Sequence, residues 1–89
     1  MSMDAEYNGY ANRPTWTVSL WLENDYGLYT YTREMLAEEP EERRGEILKE
    51  YVEELCMGEE PLASMATDLL TWVLAWVEWD EVVKSLMAE

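Results

Sequence analysis

The residues of this chain that could do chemistry are its carboxylates, because other reactive side chains are scarce. Twenty Asp and Glu stand against six Lys and Arg, there is no His, and Cys56 is the single cysteine. Zinc sites, and nucleophilic sites that pair Ser or Cys with His, are therefore excluded. Paired carboxylates can act as acid and base, but at this density pairs are inevitable and carry no information. We expect no enzymatic activity and no cofactor.

Two further site types are weighed and discarded. Residues 23–27 (Glu-Asn-Asp-Tyr-Gly) place oxygen ligands near a glycine, but the further ligands of a calcium loop are missing. The four glycines are scattered, so no loop is suited to cradling a phosphate. Cys56 lies beside acidic and apolar residues of a predicted helix, which favours a buried structural thiol over a reactive one.

The densest chemical feature is an acidic segment from Glu34 to Glu60. It contains eleven Glu beside Arg43, Arg44 and Lys49. On a helix, side chains four residues apart are separated by about 5–6 Å, which is similar to the separation of phosphates along a nucleic-acid strand. We predict that these carboxylates bind a Lys/Arg-rich protein surface that otherwise holds nucleic acid. The predicted contact residues are Glu42, Glu46, Glu50, Glu53 and Glu54, flanked by Glu38, Glu39, Glu59 and Glu60.

The net charge of −14 limits the possible partners. Such a chain repels DNA, RNA and anionic membranes, so direct binding to nucleic acid or membrane is not expected. A basic host protein or a nucleic-acid-binding complex is the natural electrostatic partner. The alternative is that the acidity only aids solubility, as on a solvated helix face, or reflects a halophilic origin.

The elements that would position the carboxylates are helices. Caps and breaks divide the 89 residues into an irregular arm over residues 1–11 and up to five helices in one domain. Asn12 is predicted to cap the first helix, and residues 24–27 to end it. The fold class predicted is all-α, a single compact bundle of four to five short helices. The later helices are predicted over 28–38, 41–57 and 62–77, followed by a short one capped by Asp80.

Residues 62–77 are apolar over most of a helix circumference, which predicts a central helix buried on nearly every side. Large aromatic rings would anchor the thin core of so short a chain. Trp16 is expected to face inward from the first turn of the first helix. The predicted core residues are Trp16, Leu20, Trp21, Leu69, Trp72, Val73 and Trp76.

Neither the start nor the interior of the chain indicates a membrane protein. The first residues carry no basic group and no apolar run, so no signal peptide is expected. The longest apolar run, from Leu69 to Val77, is broken by Thr71 and is too short to span a bilayer. We expect a cytoplasmic protein that acts as a monomer, with a dimer left open.

Two patches of the sequence carry a family resemblance. Residues 12–16 (Asn-Arg-Pro-Thr-Trp) are followed by 20–22 (Leu-Trp-Leu) and 24–25 (Asn-Asp), and 77–83 (Val-Glu-Trp-Asp-Glu-Val-Val) lie near the C-terminus. This pattern of Asn-x-x-Thr-Trp, Leu-Trp-Leu, Asn-Asp and Asp/Glu-Trp resembles a family of small acidic proteins carried by phages, plasmids and integrated elements. Glu78 stands where that family often has Asp.

The resemblance implies a protein that acts inside a bacterial or archaeal host. Acidic proteins of this size on mobile elements include anti-restriction and anti-CRISPR inhibitors, several of which look like nucleic-acid mimics. By that analogy we expect an inhibitor that blocks the DNA-binding surface of a defence complex, such as a type I CRISPR surveillance complex. The alternative is an adaptor or regulatory protein of the mobile element that binds a partner protein through exposed aromatic residues.

Overall fold

A computed structural model describes residues 5–58 and 64–88 of the chain. In these ranges the chain forms five α-helices and one 3-10 turn and no strand, which confirms the predicted all-α fold. None of the helices described has the length and apolar character needed to cross a membrane. The helices are α1 (Arg13–Asn24), α2 (Tyr26–Ala37), α3 (Arg44–Met57), α4 (Met65–Leu74) and α5 (Trp79–Met87), and the 3-10 turn (Glu41–Arg43) precedes α3.

The start of α1 agrees with the prediction. The Asn12 side-chain oxygen accepts a hydrogen bond from the Thr15 backbone N–H at 2.9 Å, which confirms Asn12 as the cap. Pro14 lies in the first turn, where a helix has no partner for a backbone N–H. The end of α1 differs, because the predicted break over residues 24–27 is a single residue.

Asp25 alone separates α1 from α2, and its backbone is extended rather than left-handed. Its carboxylate accepts a hydrogen bond from the Leu28 backbone N–H at 2.9 Å and so caps α2. This cap starts α2 two residues before the predicted position, and Gly27 becomes part of the helix. The oxygen that resembled a calcium ligand is therefore a helix cap.

The core is centred on α5. Val82 and Leu86 of α5 are fully buried, as are Leu36 of α2 and Leu48 of α3. α5 packs against α1, α2 and α3, because its apolar residues form a narrow stripe with polar residues on the opposite face. The remaining buried apolar residues are Leu22, Val52, Leu74 and Val77.

The predicted core is wrong in its residues and in its central helix. α4 packs mainly against α3 and lies at the surface, so apolar character on every side does not bury it. Four predicted core residues are exposed: Trp21 (69%), Leu69 (51%), Trp72 (55%) and Trp76 (37%). Three are only half-buried: Trp16, Leu20 and Val73.

The boundaries of the last two helices also differ from the prediction. α4 begins at Met65, where the Ser64 hydroxyl accepts a hydrogen bond from the Thr67 backbone N–H at 3.1 Å. The predicted start at residue 62 falls outside the described residues, and the helix ends three residues before residue 77. α5 begins without a side-chain cap, so the prediction that Asp80 caps it is wrong; Asp80 lies within its first turn.

The N-terminal arm contains a defined turn, where an irregular segment was expected. Asn8 and Gly9 both have positive φ, 48° and 88°, and lie between Tyr7 and Tyr10. The two tyrosines exchange backbone hydrogen bonds of 2.9 Å in both directions. This is the geometry that favours Asn-Gly in two-residue hairpin turns, and it brings the arm back towards α1.

Candidate interaction surfaces

A buried polar junction joins the start of α1 to the connection between α4 and α5. The Asn12 side-chain oxygen accepts a second hydrogen bond from the Thr15 hydroxyl at 2.6 Å, and the Asn12 amide donates to the Trp76 carbonyl at 2.7 Å. The Thr15 hydroxyl oxygen in turn accepts from the Glu78 backbone N–H at 2.9 Å. The junction therefore connects the two sequence patches that carry the family resemblance.

A second group of polar contacts holds the N-terminal arm and α1 against α5. The Glu81 carboxylate accepts a hydrogen bond from the Ala11 backbone N–H at 2.8 Å. The Ser85 hydroxyl donates to the Glu23 carboxylate at 3.1 Å and shares a hydrogen bond of 3.0 Å with the Tyr10 hydroxyl. Glu23 and Glu81 therefore accept hydrogen bonds that stabilise the fold, and they do not belong to the exposed acids of a candidate binding surface.

The face of α1 that meets α5 is built from small residues. Thr15 and Ser19 are 0% and 1% exposed, followed one turn later by Leu22 at 3%. Side chains of this size let two helix backbones approach closely. The larger Trp16 is only half-buried. Its ring packs edge-on against the Tyr7 ring, with 4.9 Å between the centroids.

The acidic segment presents an ordered row of carboxylates, which we call the carboxylate ridge. Glu42, Glu46, Glu50 and Glu54 are four residues apart and all exposed. From Glu46 to Glu54 the ridge follows about 12 Å of α3 at 1.5 Å per residue. The exposure of these four side chains was expected from the sequence, while their binding role stays a prediction.

The other predicted contact residues are less uniform. Glu38 is exposed at the end of α2, whereas Glu39 and Glu53 are half-buried. Glu59 and Glu60 lie outside the described residues. The ridge is therefore narrower than the predicted set of nine acids.

Two of the six basic side chains bond to backbone carbonyls. The Arg33 guanidinium donates to the Leu86 carbonyl at 2.6 Å and to the Ala88 carbonyl at 3.0 Å, at the C-terminal end of α5. A cation there also complements the helix dipole. The Arg44 guanidinium donates to the Glu39 carbonyl at 3.1 Å. These bonds turn both guanidinium groups towards the backbone, whereas Arg43 and Lys49 are exposed among the acids of the segment.

A second candidate surface is an open groove between α1, α3 and α4, with a volume of about 410 Å³. We call it the apolar groove. Its floor includes Val52 and Leu74, which are buried core residues. Its walls are formed chiefly by Val18 and Trp21 of α1, Leu55 and Cys56 of α3, and Leu70 and Val73 of α4.

Sequence reasoning placed Trp21 and Val73 in the core and did not identify the groove. The pattern that could have revealed it is a second apolar stripe on α1. Pro14, Val18 and Trp21 recur at helical spacing beside the small-residue stripe of Thr15 and Ser19. Two stripes on one helix indicate two separate contacts, of which α5 takes only one.

Two groups on α3 have perturbed acidity. Cys56 is exposed, so the prediction of a buried thiol is wrong. Partial desolvation beside the groove still raises the pKa of the thiol, which is therefore protonated in neutral solution. Burial, followed by the nearby Tyr31 and Asp25, raises the pKa of Tyr51. The rings of Tyr31 and Tyr51 lie 5.4 Å apart, where α2 meets α3.

The fold and these surfaces define a class: a small acidic all-α protein with a carboxylate ridge along α3 and the turn before it, and an apolar groove between α1, α3 and α4. The chain belongs to the Family of unknown function (DUF7249), whose family model matches residues 3–89. No curated protein and no solved structure matches the chain. The family description names no activity, and the two surfaces are the features of the described residues that bear on function.

Proposed function

We propose that this protein is a non-enzymatic inhibitor, encoded by a phage or another mobile element, that covers a basic nucleic-acid-binding surface of a host defence complex. Acting in the host cytoplasm, it mimics DNA and blocks the binding of target DNA. A type I CRISPR surveillance complex is a target of this kind. The observation that carries the proposal is the carboxylate ridge, with four exposed acids at four-residue intervals.

The way α3 is held supports this use of the ridge. Leu48 and Val52 are buried on the core side of α3, and the helix packs against α5. Charges on a rigid helix lose less entropy on binding than charges on a mobile chain. Each exposed carboxylate contributes little, about 0–1 kcal/mol. The inhibition is therefore cumulative, and it weakens as salt shortens the screening length from about 10 Å at 0.1 M to about 3 Å at 1 M.

The experiment compares two triple variants that remove the same charge from different places. Glu42→Gln, Glu46→Gln and Glu50→Gln neutralise the ridge, while Glu6→Gln, Glu34→Gln and Asp68→Asn neutralise three exposed acids elsewhere. Each is tested for its ability to displace target DNA from the purified surveillance complex in a gel-shift assay. We expect the ridge variant to inhibit at least about tenfold more weakly, a loss of about 1.4 kcal/mol.

The second triple variant is expected to inhibit like the parent, because its acids are scattered over three separate elements. Circular dichroism melting checks that both variants fold. If the two variants lose inhibition equally, net charge alone explains the loss, and the ridge is not the surface that binds the target. Inhibition that is unchanged by raising the salt would reject DNA mimicry as well.

A second candidate function is an adaptor that binds a partner protein through exposed aromatic residues. It is favoured by the exposure of Trp21, Trp72 and Trp76, since large rings in contact with water are typical of protein interfaces. Partner binding that survives both high salt and the ridge variant would select this function over the first.

A further inference from the structure

We infer that the outer face of α4 binds a second copy of this chain, so that two molecules pair through their α4 helices. We call this face the apolar stripe. It consists of Met65, Leu69 and Trp72 of α4 and of Trp76, which lies two residues beyond the end of the helix. The stripe is separate from the carboxylate ridge, and the pairing does not depend on the inhibitor function.

The spacing of the stripe is that of a helix-packing face. Its residues follow one another at intervals of four, three and four, which places them on one side of a helix with 3.6 residues per turn. Paired helices bury apolar residues at this same alternation of three and four. All four side chains are exposed, from 37% for Trp76 to 79% for Met65, and none of the helices described covers them. The core-facing Leu74 lies on another side of α4 and is buried.

The turn after α4 extends the stripe by one residue. The Trp76 backbone N–H donates a hydrogen bond to the Val73 carbonyl at 3.0 Å, so the chain continues to wind after Leu74. The Trp76 carbonyl accepts from the Asn12 amide at 2.7 Å, which anchors this end of the stripe to the polar junction. A face held in this way loses little entropy when a second molecule covers it.

The charge on α4 favours a copy of this chain as the occupant. Asp68 is the single charged residue among the ten residues of α4. A strongly basic partner would find almost no carboxylate on this helix to pair with. A nearly uncharged apolar stripe is instead complementary to itself, and self-complementarity is the condition for a symmetric pair in which both copies contribute the same face.

The net charge of −14 on each copy opposes the pairing, but it does not act at the stripe itself. The carboxylate ridge lies on α3 and on the turn before it, outside α4. Repulsion between such surface charges is screened beyond about 10 Å at 0.1 M salt and beyond about 3 Å at 1 M. Pairing should therefore become tighter as salt is added, whereas the proposed contact of the ridge becomes weaker.

The area of the stripe is enough for a weak pair. From their exposed fractions, the four side chains present roughly 450–500 Å² on each copy. Two copies would bury about twice that area, and a specific interface needs about 1,000 Å² in total. The exposed Ala66 and Ala75 flank the stripe and add to the contact. Because the area is at the lower limit, we expect a monomer–dimer equilibrium rather than a permanent dimer.

Sedimentation velocity of the full chain measures the pairing directly. The protein is studied from about 5 to 500 μM, the range in which weak pairs form and dissociate. We expect the sedimentation coefficient to rise from that of a monomer towards that of a dimer and to reach a plateau there. Raising the salt from about 0.1 to 0.5 M should lower the dissociation constant at least about threefold.

Matched substitutions test whether the stripe is the contact. Leu69→Asn changes the stripe, and Leu55→Asn changes an equally exposed leucine of the apolar groove; both are 51% exposed. Trp72→Ser and Trp21→Ser form a second such pair. We expect each stripe variant to raise the dissociation constant at least about tenfold and each groove variant to change it less than about twofold. Circular dichroism melting in dilute solution checks that all four variants fold.

Several results would overturn the inference. A chain that stays monomeric over the whole concentration range would leave the stripe to another protein. Equal weakening by Trp72→Ser and Trp21→Ser would mean that exposed rings associate without a defined face. Species that grow beyond the dimer would indicate unspecific aggregation. Pairing that weakens with salt would mean that charge, and not the stripe, holds the copies together.

Sedimentation is measured without DNA or a defence complex, so its outcome is independent of the mimicry test. A Leu69→Asn variant that stays monomeric and displaces DNA like the parent would support the pairing and leave the inhibitor function in place. A parent chain that never pairs but displaces DNA through the ridge would reject the pairing alone.

Discussion

The contact between α1 and α5 and the surface of α4 reverse the usual relation between hydrophobicity and burial. At the first, the hydroxyl-bearing Thr15 and Ser19 are almost fully buried; on the second, Leu69 and Trp72 are more than half exposed. Small side chains permit the helices to approach, and a hydroxyl with hydrogen-bond partners, such as that of Thr15, can be buried at little cost. Burial in this bundle depends on which helices come close and less on how apolar each helix is.

Leucine truncation gives the largest expected contrast between the two regions. Leu86→Ala on α5 should lower the free energy of unfolding by about 2–5 kcal/mol, because it leaves a cavity in the core. Leu69→Ala on α4 should lower it by less than about 1 kcal/mol, since half of that side chain is already in water. Urea denaturation of both variants measures the difference, and similar losses would mean that α4 is as buried as α5.

Substitutions in the polar junction should have the next largest effect on the free energy of unfolding. Asn12→Ala removes the cap of α1, leaves the Trp76 carbonyl without its donor and removes the acceptor of the Thr15 hydroxyl proton, for an expected loss of about 2–4 kcal/mol. Asn24→Ala, at an exposed position in the same helix, should change the free energy of unfolding by less than about 0.5 kcal/mol. If the two melting temperatures agree, the junction does not stabilise the α1–α5 contact.

Gly45 of α3 tests how closely α3 and α5 approach, and Gly27 of α2 is the control position inside a helix. A Cβ added at Gly45 would collide with the Asp80 carboxylate of α5. That carboxylate ends an exposed side chain and can rotate away, at a cost that offsets the better helix propensity of Ala, so Gly45→Ala should change the free energy of unfolding by less than about 0.5 kcal/mol. Gly27→Ala in α2, where the added Cβ makes only an ordinary contact of 3.4 Å with the Asp25 carboxylate, should stabilise it by about 0.5–1 kcal/mol.

Without the Asp80 carboxylate, Gly45→Ala should stabilise the protein through the better helix propensity of Ala. The double variant Gly45→Ala, Asp80→Ala is expected to be more stable than Asp80→Ala alone by up to about 1 kcal/mol. A double variant no more stable than Asp80→Ala alone would place the clash elsewhere and contradict the close approach of α3 and α5.

The smallest expected effect concerns the groove thiol. Burial raises the pKa of Cys56, so the midpoint of its alkylation rate against pH should lie above that of the chain unfolded in urea. Below the pKa that the thiol has in the unfolded chain, the protonated thiol therefore favours the folded protein. This stabilisation is lost as the pH rises through the pKa that the thiol has in the folded state. Identical midpoints would mean that the groove does not shield Cys56 from water.

The sequence allowed the fold class and the exposure of four ridge acids to be predicted, because helical periodicity, the Asn12 cap and charged exposed positions are local properties; the binding role of those acids stays a prediction. The core could not be predicted in the same way. Hydrophobicity identified α4 as apolar but carried no information on its neighbours. The buried face of α1 is Thr15, Ser19 and Leu22, and a pattern search for large apolar residues selects Trp16 and Leu20 instead. The groove was missed for the same reason, since it depends on how three helices are arranged.

The position of α5 along the chain has a consequence for synthesis. A ribosome produces this helix after the three that pack around it, so Leu36 and Leu48 emerge before the residues that cover them, Val82 and Leu86. Until then the earlier helices lack a shared core and expose apolar surface to chaperones and proteases. The junction between Asn12 and the segment before α5 forms only at that late stage. Assembly of this core therefore waits for the synthesis of α5.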